Sequence, residues 1–232
     1  MVAMTGNPAG ASGRFWGTAS RRFSPAEVVA DGIVHGIGLL VAAAMGAVLL
    51  AFAALETAPR EFPALVLYVA TLLAALGTSL AFNLAPVSRA KQVLARLDQA
   101  AIFLFIAGTY TPFLAAIAAT PSGSLMMVLV WGASLVGIAL KLTVPQRFGR
   151  LALLLYLAIG WSGVLVFQTL AATVPPTTLW LLLAGGLTYS AGITFHLWHK
   201  LRFHNVLWHG FVVAGATLHL WAILDCMVLS RL

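Results

Sequence analysis

Seven long apolar runs, separated by short polar connections, divide the chain at 28–54, 63–84, 98–119, 123–143, 150–171, 177–198 and 206–229. About 20 residues at 1.5 Å rise each cross a ~30 Å hydrocarbon core, so every run predicts a membrane-spanning helix. The runs far exceed a barrel strand in length and do not alternate. Backbone groups in lipid must also find partners within their own segment, which favours helices again. Short connections make neighbouring helices antiparallel. Gly36, Gly38, Gly185, Gly186, Ala214 and Gly215 are points where helices can approach closely, and Gly36 and Gly38 read first as plain packing glycines. The predicted fold is an all-α membrane protein, a seven-transmembrane-helix bundle over residues 27–232. Residues 1–26 are expected to be a disordered cytoplasmic tail without the apolar core of a signal peptide.

Composition supports this pattern. Of 232 residues, 61% are hydrophobic and 8% charged, and the mean hydropathy is +0.99. A soluble domain carries about 25% charged residues. Cys226 is the single cysteine, which excludes an intrachain disulfide. The formal charge of +7 is no nucleic-acid stripe, because the basic residues sit in clusters between apolar runs. With the N-terminus inside, Arg14, Arg21, Arg22, Arg89, Lys91, Arg96, Lys141, Arg147, Arg150, Lys200 and Arg202 are all cytoplasmic. Only Arg60 and Arg231 are then outside. That bias predicts a multi-pass protein of the cell's inner (plasma) membrane, N-terminus in and C-terminus out, with membrane lipids as partners and no nucleic acid.

The polar residues within the spans gather at their inner ends. His35 lies about two turns into the first run. Ser79 and Asn83, four apart, share a face at the end of the second, and Asn205 and His209 do so at the start of the seventh. Asp98 opens the third run, and His219 lies about 15 Å deeper than His209. Each has a structural reading beside a functional one. Asp98 fits an N-cap, and Ser79 fits a back-bond to its own helix. His35 and His219 fit hydrogen-bonded core histidines. His196, His199 and His204, beside Lys200 and Arg202, fit a loop at the headgroups. Asp225 fits an exposed rim, and Trp180, Trp198, Trp208 and Trp221 fit interfacial anchors.

GIVHGIG in the first run, SLAFN with RLDQAAIFLFIAGTYTPF, and NVLWHGFVVAGATLH in the seventh resemble the hemolysin III group. That group belongs with the progestin and adiponectin Q receptors and, more distantly, the alkaline ceramidases. The likeness covers about residues 24–229. It implies a zinc site near the cytoplasmic side, made by a histidine four residues after a serine in helix 2 and two histidines four apart in helix 7. An aspartate starting helix 3 holds the metal-bound water. Carried onto this chain, the serine is Ser79, the aspartate Asp98 and the second helix-7 histidine His209. Asn83 and Asn205 occupy the other two ligand positions, and Gln99 stands where bacterial members often have histidine.

Those departures change the chemistry. An amide oxygen is a weak ligand for zinc, whereas a neutral imidazole is a good one. His204 is no substitute, because five residues at 100° each place it nearly opposite His209. Zinc is therefore expected to be weak or absent. Asn83, Asp98, Asn205 and His209 are expected to form a hydrogen-bonded network joining helices 2, 3 and 7. The expected role is lipid binding or membrane homeostasis. The alternative is a zinc-dependent hydrolase of lipid amides, with Asp98 and Ser79 as catalytic candidates.

Overall fold

The computed structural model of the protein describes residues 23–144 and 149–231. The helices are α1 (Pro25–Glu56), α2 (Phe62–Leu84), α3 (Arg89–Ala116), α4 (Pro121–Thr143), α5 (Gly149–Trp161), α6 (Phe167–Ala171), α7 (Pro176–Leu197) and α8 (His204–Met227). A 3₁₀ segment, Ser162–Val166, joins α5 to α6, so these three pieces make one span. The described residues thus contain the seven expected membrane spans. Most of the expected N-terminal tail, residues 1–22, lies outside the described residues, and α1 begins at Pro25 within its last part.

α1 shows how local sequence sets both a start and a face. Ser24 caps it in a reciprocal box with Glu27, and Pro25 occupies the first turn, where a missing N–H costs nothing. Its buried residues, Glu27, Asp31, His35, Gly38, Ala42, Gly46, Leu49 and Ala53, recur every three or four positions. This is one continuous stripe on a 3.6-residue helix. The stripe is polar at the start and small in the middle.

α3 begins nine residues before the third apolar run. Ser88 caps it, accepting from the Lys91 N–H, so the expected basic loop around Arg89–Arg96 is instead its first two turns. Asp98 is therefore no N-cap. It sits inside a helix whose amides are already satisfied by the backbone ladder.

The helices close into a ring in chain order, with α1 packed between α2 and α8, and α7 against α8. α3 and α8 are the most enclosed spans. Small residues set some of these approaches. A Cβ at Gly38 would meet Val213 of α8, and one at Gly108 would meet Thr71 of α2. Gly185 lies against the His219 ring, whereas Gly36 faces open space and has no such role.

The break in the fifth span has a specific cause. The Tyr110 hydroxyl of α3 donates to the Gly160 carbonyl (2.7 Å) and accepts from the Gly163 N–H (2.8 Å). It thereby satisfies backbone groups that a regular helix would pair internally. Tyr110→Phe is expected to cost about 1–3 kcal/mol, because it strands the Gly163 N–H inside a span. Thermal unfolding in detergent checks this, and an unchanged midpoint would show that the break does not depend on the phenol.

Candidate polar site at the basic end of the bundle

The starts of α1, α3 and α8 and the end of α2 meet at one end of the bundle, the end that also carries Arg89, Lys91, Arg96, Lys141, Lys200 and Arg202. The turn before α8 is pinned there by Glu27, whose Oε1 accepts from the Phe203 N–H at 2.9 Å. Phe203 has a left-handed backbone (φ 60°), a conformation that L residues adopt only with local support. The buried Glu27 supplies that support and sets the first turns of α8 beside α1.

Asp31 is the centre of the site. Its Oδ1 accepts from His209 Nδ1 at 2.6 Å, and its Oδ2 accepts from the Asn205 amide at 3.3 Å. Its backbone carbonyl accepts from His35 Nδ1 at 2.9 Å. A carbonyl cannot donate, so His35 carries its proton on Nδ1 and its Nε2 is an acceptor. The Ser79 hydroxyl, 2.9 Å from that Nε2, is therefore the donor. The two imidazoles lie edge to face with centroids 4.2 Å apart. Asp98 borders the group through Ser79, within electrostatic range of His209 and Asp31.

The expected network is thus rebuilt. Asn205 and His209 do join, but to Asp31 of α1 rather than to Asp98. Asn83 turns its amide onto the Ser79 carbonyl of its own helix (2.9 Å) and stays out of the centre. Ser79 reaches His35 instead of back-bonding. His219 sits deeper, its Nε2 3.2 Å from the Leu182 carbonyl, and belongs to the α7–α8 contact. His204 is no loop residue: it opens α8 and is buried, near the Phe23 and His199 rings. His196 lies in the last turn of α7 against Trp208, and only His199 is exposed. Asp225, at the other end, accepts from Thr177 and Thr178.

Asp31 and Glu27 escape a reading that weighs only conspicuous polar residues. A signal for them exists, since 27, 31 and 35 fall on one face at steps of four.

Zinc fits poorly at the positions the resemblance implies. Asn83 presents its N–H₂ to a carbonyl, and Asn205 presents its own to Asp31. Asp31, His35 and His209 are a different group, buried, with ligand atoms within 4.8 Å of one another, and they could hold a metal ion. Ligands around tetrahedral zinc stand about 3.3 Å apart, so the 2.6 Å contact of Asp31 with His209 Nδ1 is a hydrogen bond, and Nε2 is the ring nitrogen left for a metal. Above this group α1, α2 and α8 leave a void of about 10 Å³, lined by Gly38, Leu76 and Val213, enough for about one water. A larger cavity, about 390 Å³, lies at the opposite end beside Pro175, Cys226 and Arg231, and touches none of the expected site residues.

Seven apolar spans closed around a buried polar centre define a multi-pass helical membrane protein. The chain matches the model of the family described as Haemolysin-III related over residues 24–220, and it belongs to that family. It is 33% identical over 203 residues to a hemolysin-3 homolog of Bacillus subtilis, covering 87% of this chain and 95% of that protein. It is 32% identical over 199 residues to hemolysin-3 of Bacillus cereus, covering 85% and 90%. A shorter match, 30% over 127 residues, joins it to the human monocyte to macrophage differentiation factor, covering 54% and 52%.

Proposed function

We propose that this protein is a lipid-binding component of the cell's plasma membrane, its basic end cytoplasmic, with a polar centre held by hydrogen bonds rather than by a tightly bound zinc. Asp31 carries this reading. Its two carboxylate oxygens accept from His209 Nδ1 and from the Asn205 amide at once, so the centre is tied together by hydrogen bonds of the protein itself. Such a node ties the starts of α1 and α8 together and sets their rotation without a metal. The clustered Lys and Arg residues favour anionic lipid at that face. The relatives' name refers to haemolysis, and lysis by this chain would follow from overloading a bilayer rather than from a dedicated pore.

A second reading is metal-assisted hydrolysis of a lipid amide. Three ligand atoms in one buried group, with Asp98 alongside, favour it. Zinc, when bound, would supply an activated water there. Asp31, His35 and His209 would hold the ion, and Asp98 would orient the water.

Metal content separates the two. Protein purified without a histidine tag is expected to carry far less than one zinc per chain. The Asn83→His, Asn205→His double variant is expected to approach one, because imidazoles then return to both positions. Stoichiometric zinc in the natural protein, with an amidase activity that chelators abolish, would favour the hydrolase. The lipid role loses its basis if deletion of the gene leaves lipid composition and membrane fluidity unchanged.

A further inference from the structure

Lys141 is a cation without a counter-ion. It lies in the last turn of α4, 2% exposed, and its ammonium makes one hydrogen bond, to Gln99 Oε1 of α3 at 2.7 Å. An ammonium has three donors. Ion pairs among the described residues join Asp31 to His35 and His209, and Glu61 to Arg231, and none reaches Lys141. Arg96 is the second such group. Its Nε is buried without an acceptor, while the side chain as a whole is half-exposed. Arg96 and Gln99 are three residues apart on α3, hence on neighbouring faces, with Arg96 one turn nearer the helix start.

Other charges nearby are already used. Lys91 closes the end of α2, donating to the carbonyls of Ala85 (2.8 Å) and Asn83 (3.5 Å). Asp98 borders Ser79. The Tyr156 hydroxyl donates to the Gln99 carbonyl at 2.7 Å and locks α5 to this turn. Two cations with spare donors thus lie at the basic end of the bundle, Lys141 on the Gln99 amide and Arg96 one turn from it along α3. Burying a cation without an anion is costly, so residues of this kind mark sites.

We infer that Lys141 and Arg96, with Gln99 between them, form a binding site for a phosphate group between α3 and α4 at the basic end of the bundle. The inference rests on the lipid-binding reading and names the part of the lipid recognised. Arg96, half-exposed, is the entry, a fork that matches phosphate oxygens. Lys141 stands behind as a point charge. A phosphate oxygen replaces Gln99 Oε1 as its acceptor, exchanging a neutral acceptor for an anionic one that also balances the ammonium charge. A phospholipid phosphate and a free phosphate offer the same oxygens.

The test uses the purified full-length protein in detergent, with phosphatidylglycerol, phosphatidylcholine or inorganic phosphate added, and reads retained lipid by native mass spectrometry and stability by thermal shift. Phosphatidylglycerol is expected to be retained and to raise the midpoint, with phosphatidylcholine weaker. Lys141→Gln and Arg96→Gln are each expected to lower that affinity about tenfold or more. Arg96→Gln alters a half-exposed side chain and so carries the test without disturbing the core. Inorganic phosphate alone reproducing the shift, with the same loss in both variants, identifies free phosphate as the ligand of the site. Phosphatidylglycerol binding that survives both variants overturns the site while leaving the lipid-binding reading standing. Failure of every lipid to bind removes both.

Discussion

Asp31→Ala is expected to destabilise the protein by about 3–5 kcal/mol, the cost of removing one partner from a buried pair. The carboxylate is 5% exposed and receives both His209 Nδ1 and the Asn205 amide. With alanine, these donors lose their acceptor in a largely buried site. Asp31→Asn should cost less, about 1–3 kcal/mol, since one acceptor oxygen remains while an N–H₂ replaces the other. His35 is tied to the backbone carbonyl of residue 31 and should keep its place in both variants. Reversible unfolding in mixed micelles, with His209→Ala and the double variant completing a cycle, measures the coupling. A change within about 0.5 kcal/mol for Asp31→Ala would mean that the polar node does not hold α1 to α8.

Gly108→Ala should be the most harmful single-carbon addition on the α2–α3 contact. Its Cβ would overlap Thr71 Oγ1 and lie 2.9 Å from Thr71 Cβ, so the helices must separate or Thr71 must turn away. Thr71 is itself buried and bonded to the Tyr68 carbonyl, which restricts that escape. Overpacking of this kind costs about 1–3 kcal/mol, and the lost approach of two helices in lipid adds to it. Thr71→Ala should recover much of the loss by vacating the same volume. If the double variant is no more stable than Gly108→Ala alone, the clash is not the cause. Gly36→Ala is the matching control, since nothing lies within 4 Å of its Cβ.

Helix number and position were legible because they depend on local properties. A run of about 20 apolar residues must cross as a helix whatever surrounds it. The extent of α3 was less legible. Arg89, Lys91 and Arg96 interrupt the hydropathy that marks a span, yet a helix can run past the hydrocarbon edge with its cations at the headgroups. The break at Ser162–Val166 leaves no local trace either, because the partner that satisfies it is Tyr110, more than 50 residues away.

The candidate site divides in the same way. His35, Ser79, Asn205 and His209 stand out as polar residues in apolar runs, and their depth follows from counting residues along each helix. Which of them meet depends on helix rotation and ring order. Asp31 and His209 are 178 positions apart, and Lys141 and Gln99 are 42 apart. No periodicity within a single helix encodes such distances. The sequence by itself determined the seven spans, the basic end and the depth of the polar residues, since hydropathy and charge act locally. Only the tertiary structure decided that Asp31 takes the place expected for Asp98, that Asn83 turns aside, and that Lys141 has a neutral partner. Those outcomes depend on how the spans rotate and pack, which is set jointly by small residues such as Gly38 and Gly108 and by pins such as Glu27 on Phe203.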